Sequence, residues 1–113
     1  MPTDPITWAD FGKVDIRTGT VIAAEPFPQA RKPAYKLTID FGPLGTKRTS
    51  AQLTALYQAD ELVGKQVVAV VNFPAKQIAQ FMSECLILGA VDDDGTVTLL
   101  QTERLTENGL RIG

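Results

Sequence analysis

Tyr35-Lys36-Leu37-Thr38-Ile39-Asp40-Phe41 alternates without a break, apolar at 35, 37, 39 and 41 and polar at 36, 38 and 40. A period of two turns one row of side chains to a core and the other to solvent, so the segment is a half-buried β-strand. Both flanks agree. Gly42-Pro43-Leu44-Gly45 has turn chemistry, and Thr46-Lys47-Arg48-Thr49-Ser50-Ala51 is a polar return strand. Upstream, residues 26–33 form a loop with prolines at both ends that carries Arg31 and Lys32.

Further from this hairpin the pattern stays strand-rich. Ile6-Thr7-Trp8-Ala9-Asp10-Phe11 is a short helical turn, with Thr7 and Asp10 as a capping box and Ile6 stapled onto Phe11. From Lys13 the pattern becomes strand-like, with Val14 and Ile16 on one face and Val21 and Ala23 on the next. Its parity slips across Arg17-Thr18-Gly19-Thr20, which predicts a bulge or sharp bend there. Residues 54–63 are expected to form one short helix that buries Leu56 and Leu62 and stops at Gly64. Gln66 to Asn72 reads as a central strand buried on both sides, and residues 73–83 as irregular. Residues 84–91 and 95–101 are two further strands around Asp92-Asp93-Asp94-Gly95. The sum is an all-β chain: a five-stranded OB-fold barrel, one short helix between strands three and four, an N-terminal helical turn and a C-terminal hairpin extension. A sandwich would want about seven evenly spaced strands and no helix.

At 113 residues the chain is one domain, 1–113, and 44% hydrophobic with 21% charged residues is a globular balance. The longest apolar run, Val67-Val68-Ala69-Val70-Val71, is far short of a membrane span, so no membrane insertion is expected. Met1-Pro2-Thr3-Asp4-Pro5 has no cationic segment before an apolar one, so no export is expected either. A cytoplasmic setting follows, with which the lone Cys85 agrees. There is no His, and no Ser or Cys has a base near it in sequence, so no catalytic site, metal or cofactor is expected. Asp92-Asp93-Asp94 lacks the ligand spacing of a calcium loop and reads as a hairpin turn.

Charge is unevenly placed. Residues 26–83 hold seven Lys/Arg against three acids, whereas the rest holds four basic and ten acidic residues, which together give the net −2. In an OB-fold, Arg31 and Lys32 fall in the loop joining strands one and two. Lys36, Lys47 and Arg48 fall on strands two and three, and Lys76 in the loop joining strands four and five. Those elements hold oligonucleotides in such barrels. Thr49 and Ser50 place hydroxyls beside Lys47 and Arg48, which suits phosphate; a solvated strand face is the alternative.

Three segments carry a family resemblance. Val14-Asp15-Ile16-Arg17-Thr18-Gly19-Thr20-Val21, Leu62-Val63-Gly64-Lys65-Gln66-Val67-Val68-Ala69-Val70-Val71-Asn72-Phe73 and Ser83-Glu84-Cys85-Leu86-Ile87-Leu88-Gly89 resemble the tRNA-binding-domain OB family. That family includes appended domains of some methionyl-tRNA synthetases and the EMAP-II-like cytokines. Phe41-Gly42, Ser50-Ala51-Gln52, Asn72-Phe73-Pro74 and Gly109-Leu110-Arg111-Ile112-Gly113 are similar to its free-standing CsaA-type secretion-chaperone branch. The resemblance implies a homodimer that binds tRNA or structured RNA, and for the CsaA type a chaperone role toward unfolded or export-bound polypeptides. On the RNA reading Gln77 and Ser83 join the six cations as polar contacts. Pro74-Ala75-Lys76-Gln77-Ile78-Ala79-Gln80-Phe81 holds one cation where the wider family clusters several, and the sequence pI is about 5.0, so binding is expected to be weak and salt-sensitive.

The polypeptide reading rests on Phe27, Phe73, Phe81 and Met82, adaptable apolar side chains that would mark a docking surface if exposed together. The simpler expectation is that they cap the barrel or fill an interface. Ile6, Trp8 and Phe11, with Leu105, Leu110 and Ile112, lie outside the minimal barrel and are the expected dimer contacts; Trp8 is expected to pack rather than stack a base.

Overall fold

In the computed structural model, which describes residues 4–113, the long strand β1 (Ile16–Pro26) organises everything else. Its first half pairs antiparallel with β4 (Gln66–Val70) and its second half with β2 (Tyr35–Asp40), which pairs in turn with β3 (Thr46–Ala51). β7 (Leu86–Ile87) joins the far side of β4, giving the sheet order β3-β2-β1-β4-β7. The sheet then curls toward closure. The Glu84 N–H donates to the Arg48 carbonyl at 2.8 Å, and the Thr49 hydroxyl to the Cys85 carbonyl at 2.7 Å, tying β3 to the stretch before β7. A five-stranded, nearly closed antiparallel barrel with an OB-type order results, as expected.

The core follows from the alternation. Leu37, Ile39 and Phe41 are buried on the inner face of the hairpin strand, and they meet Val21, Leu62, Val67 and Ala69. All five residues of β4 are buried: the apolar Val67 to Val70 as their unbroken run requires, and the polar Gln66 beside them. Gly19 permits this packing, because a Cβ there would stand 2.7 Å from both Ile39 Cγ2 and the Phe41 ring. The expected slip at residues 17–20 is absent: β1 pairs there with β4 in regular register, and the irregularity falls between Val21 and Ala23. Gly19 is thus a close-approach glycine and not a bulge.

Two other expectations are corrected. Residues 54–56 form a turn, Leu56 is 52% exposed, and the helix α2 between β3 and β4 is only Ala59–Leu62, with Leu62 fully buried. Residues 73–83 are not irregular. They contain a hairpin, β5 (Lys76–Ile78) and β6 (Phe81–Ser83), in which Ile78 faces Phe81 across the two-residue turn Ala79-Gln80. Ala79 has φ of +54°, the conformation a turn of this kind normally gives to Gly. The C-terminal hairpin is β8 (Gly89–Val91) with β9 (Val97–Leu99). Its turn uses its carboxylates locally: Asp92 Oδ1 accepts the Asp93 N–H and Asp94 Oδ1 the Thr96 N–H.

Residues 101–112 return along the barrel and cover the open edge of β1. Gly109 and Ile112 donate backbone N–H bonds to Thr18 and Ile16, and the Thr18 N–H donates to the Leu110 carbonyl. Gly109, at φ +87°, passes so near the Phe41 carbonyl that no Cβ would fit. Beneath the segment lies Gln66, 4% exposed. Its Nε2 donates to the Thr106 carbonyl at 2.8 Å and to Asn108 Oδ1 at 3.4 Å, while its Oε1 accepts from the Thr102 hydroxyl at 3.1 Å and the Thr106 N–H at 3.0 Å. At the other end, Thr7 and Asp10 close the expected capping box on α1 (Trp8–Gly12), which buries none of its residues. The expectation of no export rests in part on residues 1–3, which lie outside the described residues. No helix among the described residues is long and apolar enough to cross a membrane.

Candidate nucleic-acid interface

A second, smaller core lies outside the barrel and explains why distant cations meet. Phe27 and Ala34 stand at the two ends of the loop 27–34, which the Phe27 N–H closes onto the Ala34 carbonyl at 3.1 Å. Both are buried against Phe81 of β6, with Ala30 and Ile78 packed around them. The Phe27 and Phe81 rings meet edge to face, centroids 5.4 Å apart, a favoured aromatic geometry. This cluster fastens the loop between β1 and β2 to the hairpin β5–β6, the two elements that carry Arg31, Lys32 and Lys76.

Two cations cover the aromatic pair. Arg48 Cζ lies 4.4 Å from the Phe81 ring centre, and Lys36 Nζ lies 4.9 Å from the Phe27 centre and 5.6 Å from that of Phe81. Each ring draws a positive charge onto its face and so orders a long side chain that would otherwise wander. Beside them, Arg31, Lys32, Lys76 and Gln77 line a cleft of about 630 Å³ between loop and hairpin. A second cleft of about 550 Å³ holds Lys36 and Arg48 and shares Gln29 and Ala79 with the first. Among the described residues only Arg17 and Arg104 form ion pairs, so the charge of these five cations is left for a ligand.

Six of the eight residues expected to hold RNA, the cations Arg31, Lys32, Lys36, Arg48 and Lys76 together with Gln77, are therefore gathered on one side of the barrel. Lys47 is not. It pairs across the sheet with buried Ile39, while Arg48 pairs with Thr38, so the two neighbours point to opposite faces and do not act as a basic pair. Lys47 instead sends its charge toward the Cys85 thiol. Ser83 is committed to closing the barrel: its Oγ accepts the Ser50 N–H at 3.2 Å and lies 3.2 Å from the Thr49 hydroxyl. Gln77 donates from its side-chain amide to the Ala79 carbonyl at 3.0 Å, steadying the hairpin turn, and still lines the cleft.

The four apolar residues of the polypeptide reading do not form one patch. Phe27 and Phe81 are 4% and 3% exposed, consumed by the satellite core, whereas Phe73 and Met82 are 55% and 45% exposed. Trp8 does not pack against the described residues; it is 92% exposed beside the exposed Ile6 and Phe11. Leu105 and Leu110 are also exposed, and an Arg111 Nη2 bond to the Gly12 carbonyl at 2.9 Å brings the end of α1 to the C-terminal segment. Cys85 is buried, and burial pushes its thiol up to about 11; the Thr49 hydrogen bond and the Lys47 charge pull more weakly the other way. That is a packed thiol and not a nucleophile. Gln29 and Gln52, uncharged, escape a reading based on cations although both line the clefts; only their place beside the basic loop and at the end of β3 could have marked them.

Known proteins share this fold. The family model described as a putative tRNA binding domain matches residues 16–111. The chain is 35% identical over 109 residues to the methionine–tRNA ligase of Methanococcoides burtonii, a match that covers 96% of this chain and 16% of that enzyme. It therefore spans only a small part of the length of such ligases. Among solved structures, the chaperone CsaA of Bacillus anthracis str. Ames is 49% identical and superposes with a TM-score of 0.93, over 97% of this chain and 100% of that one. The CsaA chaperone protein of Picrophilus torridus is 50% identical, with a TM-score of 0.89 over 96% and 100%.

Proposed function

Because the chain belongs to the family of putative tRNA binding domains, we propose that it binds tRNA or a similarly structured RNA through the phosphate backbone and performs no chemistry on it. The observation that carries this reading is the convergence of Arg31, Lys32 and Lys76 across one cleft, with Lys36 and Arg48 alongside and none of them ion-paired among the described residues. Lys36 and Arg48 are already ordered on the Phe27 and Phe81 rings, so phosphate binding there costs less side-chain freedom than at a bare surface. Attraction is local, because the whole chain carries net −2. Titration of fluorescently labelled tRNA, followed by anisotropy at low and at physiological salt, tests it. Saturable binding should weaken steeply with salt, and Lys36→Ala/Arg48→Ala should lower the salt slope by about two, roughly one per phosphate contact. No binding at low salt refutes the reading.

A second reading has an observation of its own. Phe73, Met82 and Leu86 are exposed apolar side chains in or near the segment 73–86, and the similar structures are described as chaperones. Such a surface suits unfolded or export-bound polypeptide, and displacement of labelled tRNA by a reduced, unfolded polypeptide would place both ligands on overlapping surfaces. Both readings take a cytoplasmic homodimer of single-domain chains. Its support is the exposure of Ile6, Trp8 and Phe11 at one end and of Leu105 and Leu110, beside half-buried Ile112, at the other. Sedimentation showing only monomer at micromolar concentration would refute it.

A further inference from the structure

The cleft lined by Arg31 and Lys32 does not stop at Lys76. Ser50, Gln52, Lys76 and Ile78 belong both to it and to a neighbouring cleft of about 610 Å³ that Phe73, Pro74 and Ser83 also line. Each volume lies within the roughly 300–1,000 Å³ of ordinary ligand sites. Among the described residues no acidic side chain lines either cleft, so the pair offers a path from cations to an aromatic ring. Phe73 is 55% exposed, so its ring face is open to a ligand. It is also the one accessible aromatic of the interface among the described residues, because Phe27 and Phe81 lie buried beneath Lys36 and Arg48. Between ring and cations, the Gln52 amide and the Ser50 hydroxyl make no side-chain hydrogen bond within the described residues, so both remain open to a polar edge.

From this arrangement we propose that Phe73 is a base-stacking platform: an unpaired nucleotide of the bound RNA lays its base on the ring while the adjoining phosphates meet Lys76 and, further along, Arg31 and Lys32. Every base has a π-face, so the contact is tolerant of sequence, and Gln52 and Ser50 supply hydrogen bonds to whichever base edge is presented. Cations alone would serve a duplex backbone equally well. An exposed ring beside them favours RNA with at least one unstacked base over a fully paired helix. The proposal rests on the RNA reading given above and names the part of the RNA that enters the site.

The test is competition against labelled tRNA by a twelve-nucleotide oligoadenylate and by a blunt twelve-base-pair RNA duplex, chosen about as long as one OB site accommodates. The wild-type protein, Phe73→Leu and Phe73→Tyr are compared. Oligoadenylate should compete better than duplex. Phe73→Leu should weaken oligoadenylate by roughly five- to hundredfold, the equivalent of one stacked base, with an unchanged salt slope because no phosphate contact is lost. Phe73→Tyr should retain wild-type affinity. If tRNA binds but oligoadenylate binds Phe73→Leu as well as it binds the wild type, or duplex outcompetes oligoadenylate, stacking is refuted and the RNA reading survives. If Phe73→Leu impairs only displacement by an unfolded polypeptide, the ring serves that ligand and the proposal falls. If tRNA does not bind at low salt, the RNA reading and the proposal fall together.

Discussion

Replacing Gln66 by Met keeps the length and apolar stem of a side chain that is 4% exposed and deletes only its amide. The amide makes four hydrogen bonds to the segment 101–108, of which the one to Asn108 Oδ1, at 3.4 Å, is long. Three effective bonds at a net of about 1 kcal/mol each give a loss of about 3 kcal/mol, a large share of the roughly 5–15 kcal/mol that holds a small domain together. Gln66→Glu should be worse, since it turns a buried carboxylate toward the Thr106 carbonyl and Asn108 Oδ1, which need a donor. Urea unfolding followed by far-UV circular dichroism gives the global change. Amide exchange at Gly109, Leu110 and Ile112, whose N–H groups bond to Thr18 and Ile16, reports whether the segment has come loose. Wild-type stability within about 0.5 kcal/mol in Gln66→Met would refute the reasoning. So would a stability loss that leaves those three amides fully protected.

Other substitutions probe single features. Gly19→Ala drives a Cβ to 2.7 Å from fully buried Ile39 and Phe41, neither of which has room to yield, and should cost about 1–3 kcal/mol by urea unfolding; an unchanged midpoint would show that the barrel can relax there. Ala79→Gly relieves a φ of +54° and should raise stability by about 0.5–1 kcal/mol, and a lower midpoint would mean the turn gains nothing from glycine. Cys85 keeps its proton in the folded chain up to about 11, whereas an unfolded thiol loses it near pH 8.5, so its contribution is complete below about pH 8.5 and is lost as pH rises through about 11. Urea unfolding across that window under reducing conditions should therefore show the wild type declining more steeply than Cys85→Ala, by up to about 3 kcal/mol, and parallel curves would contradict this.

Legibility in the sequence tracked how local the cause was. β2 is legible because its two faces differ at every residue, and β4 because four of its five residues are apolar and it is buried on both sides. The hairpin β5–β6 leaves little trace in the sequence because its turn, Ala79-Gln80, contains no residue that prefers positive φ, and because Phe81 alone of its apolar residues is fully buried. Gly19 was visible as an anomaly but its cause was not: Phe41 reaches it from another strand. The expected helix 54–63 is too long because Gly64 marks its end in the sequence while nothing as distinct marks its start; Leu56 faces solvent and residues 54–56 only turn. At the interface, loop position was enough to gather Arg31, Lys32 and Lys76. Separating Arg48 from Lys47 required the parity of β3, and the burial of Phe27 and Phe81 required knowing that loop and hairpin touch.

The backbone bonds that residues 109–112 make to β1 reach across some ninety positions of chain, from Leu110 back to Thr18. On a ribosome that adds about 5–20 residues per second, the Ile16 to Thr18 edge therefore waits on the order of 5–20 s before its partner emerges. During that interval the nascent chain presents an unpaired strand edge, the feature through which sheets join other sheets. Assembly of this barrel is consequently gated by translation as well as by packing. Codons that slow the ribosome after β4 would lengthen the exposure and raise aggregation of the newborn chain, with no change in the stability of the finished protein.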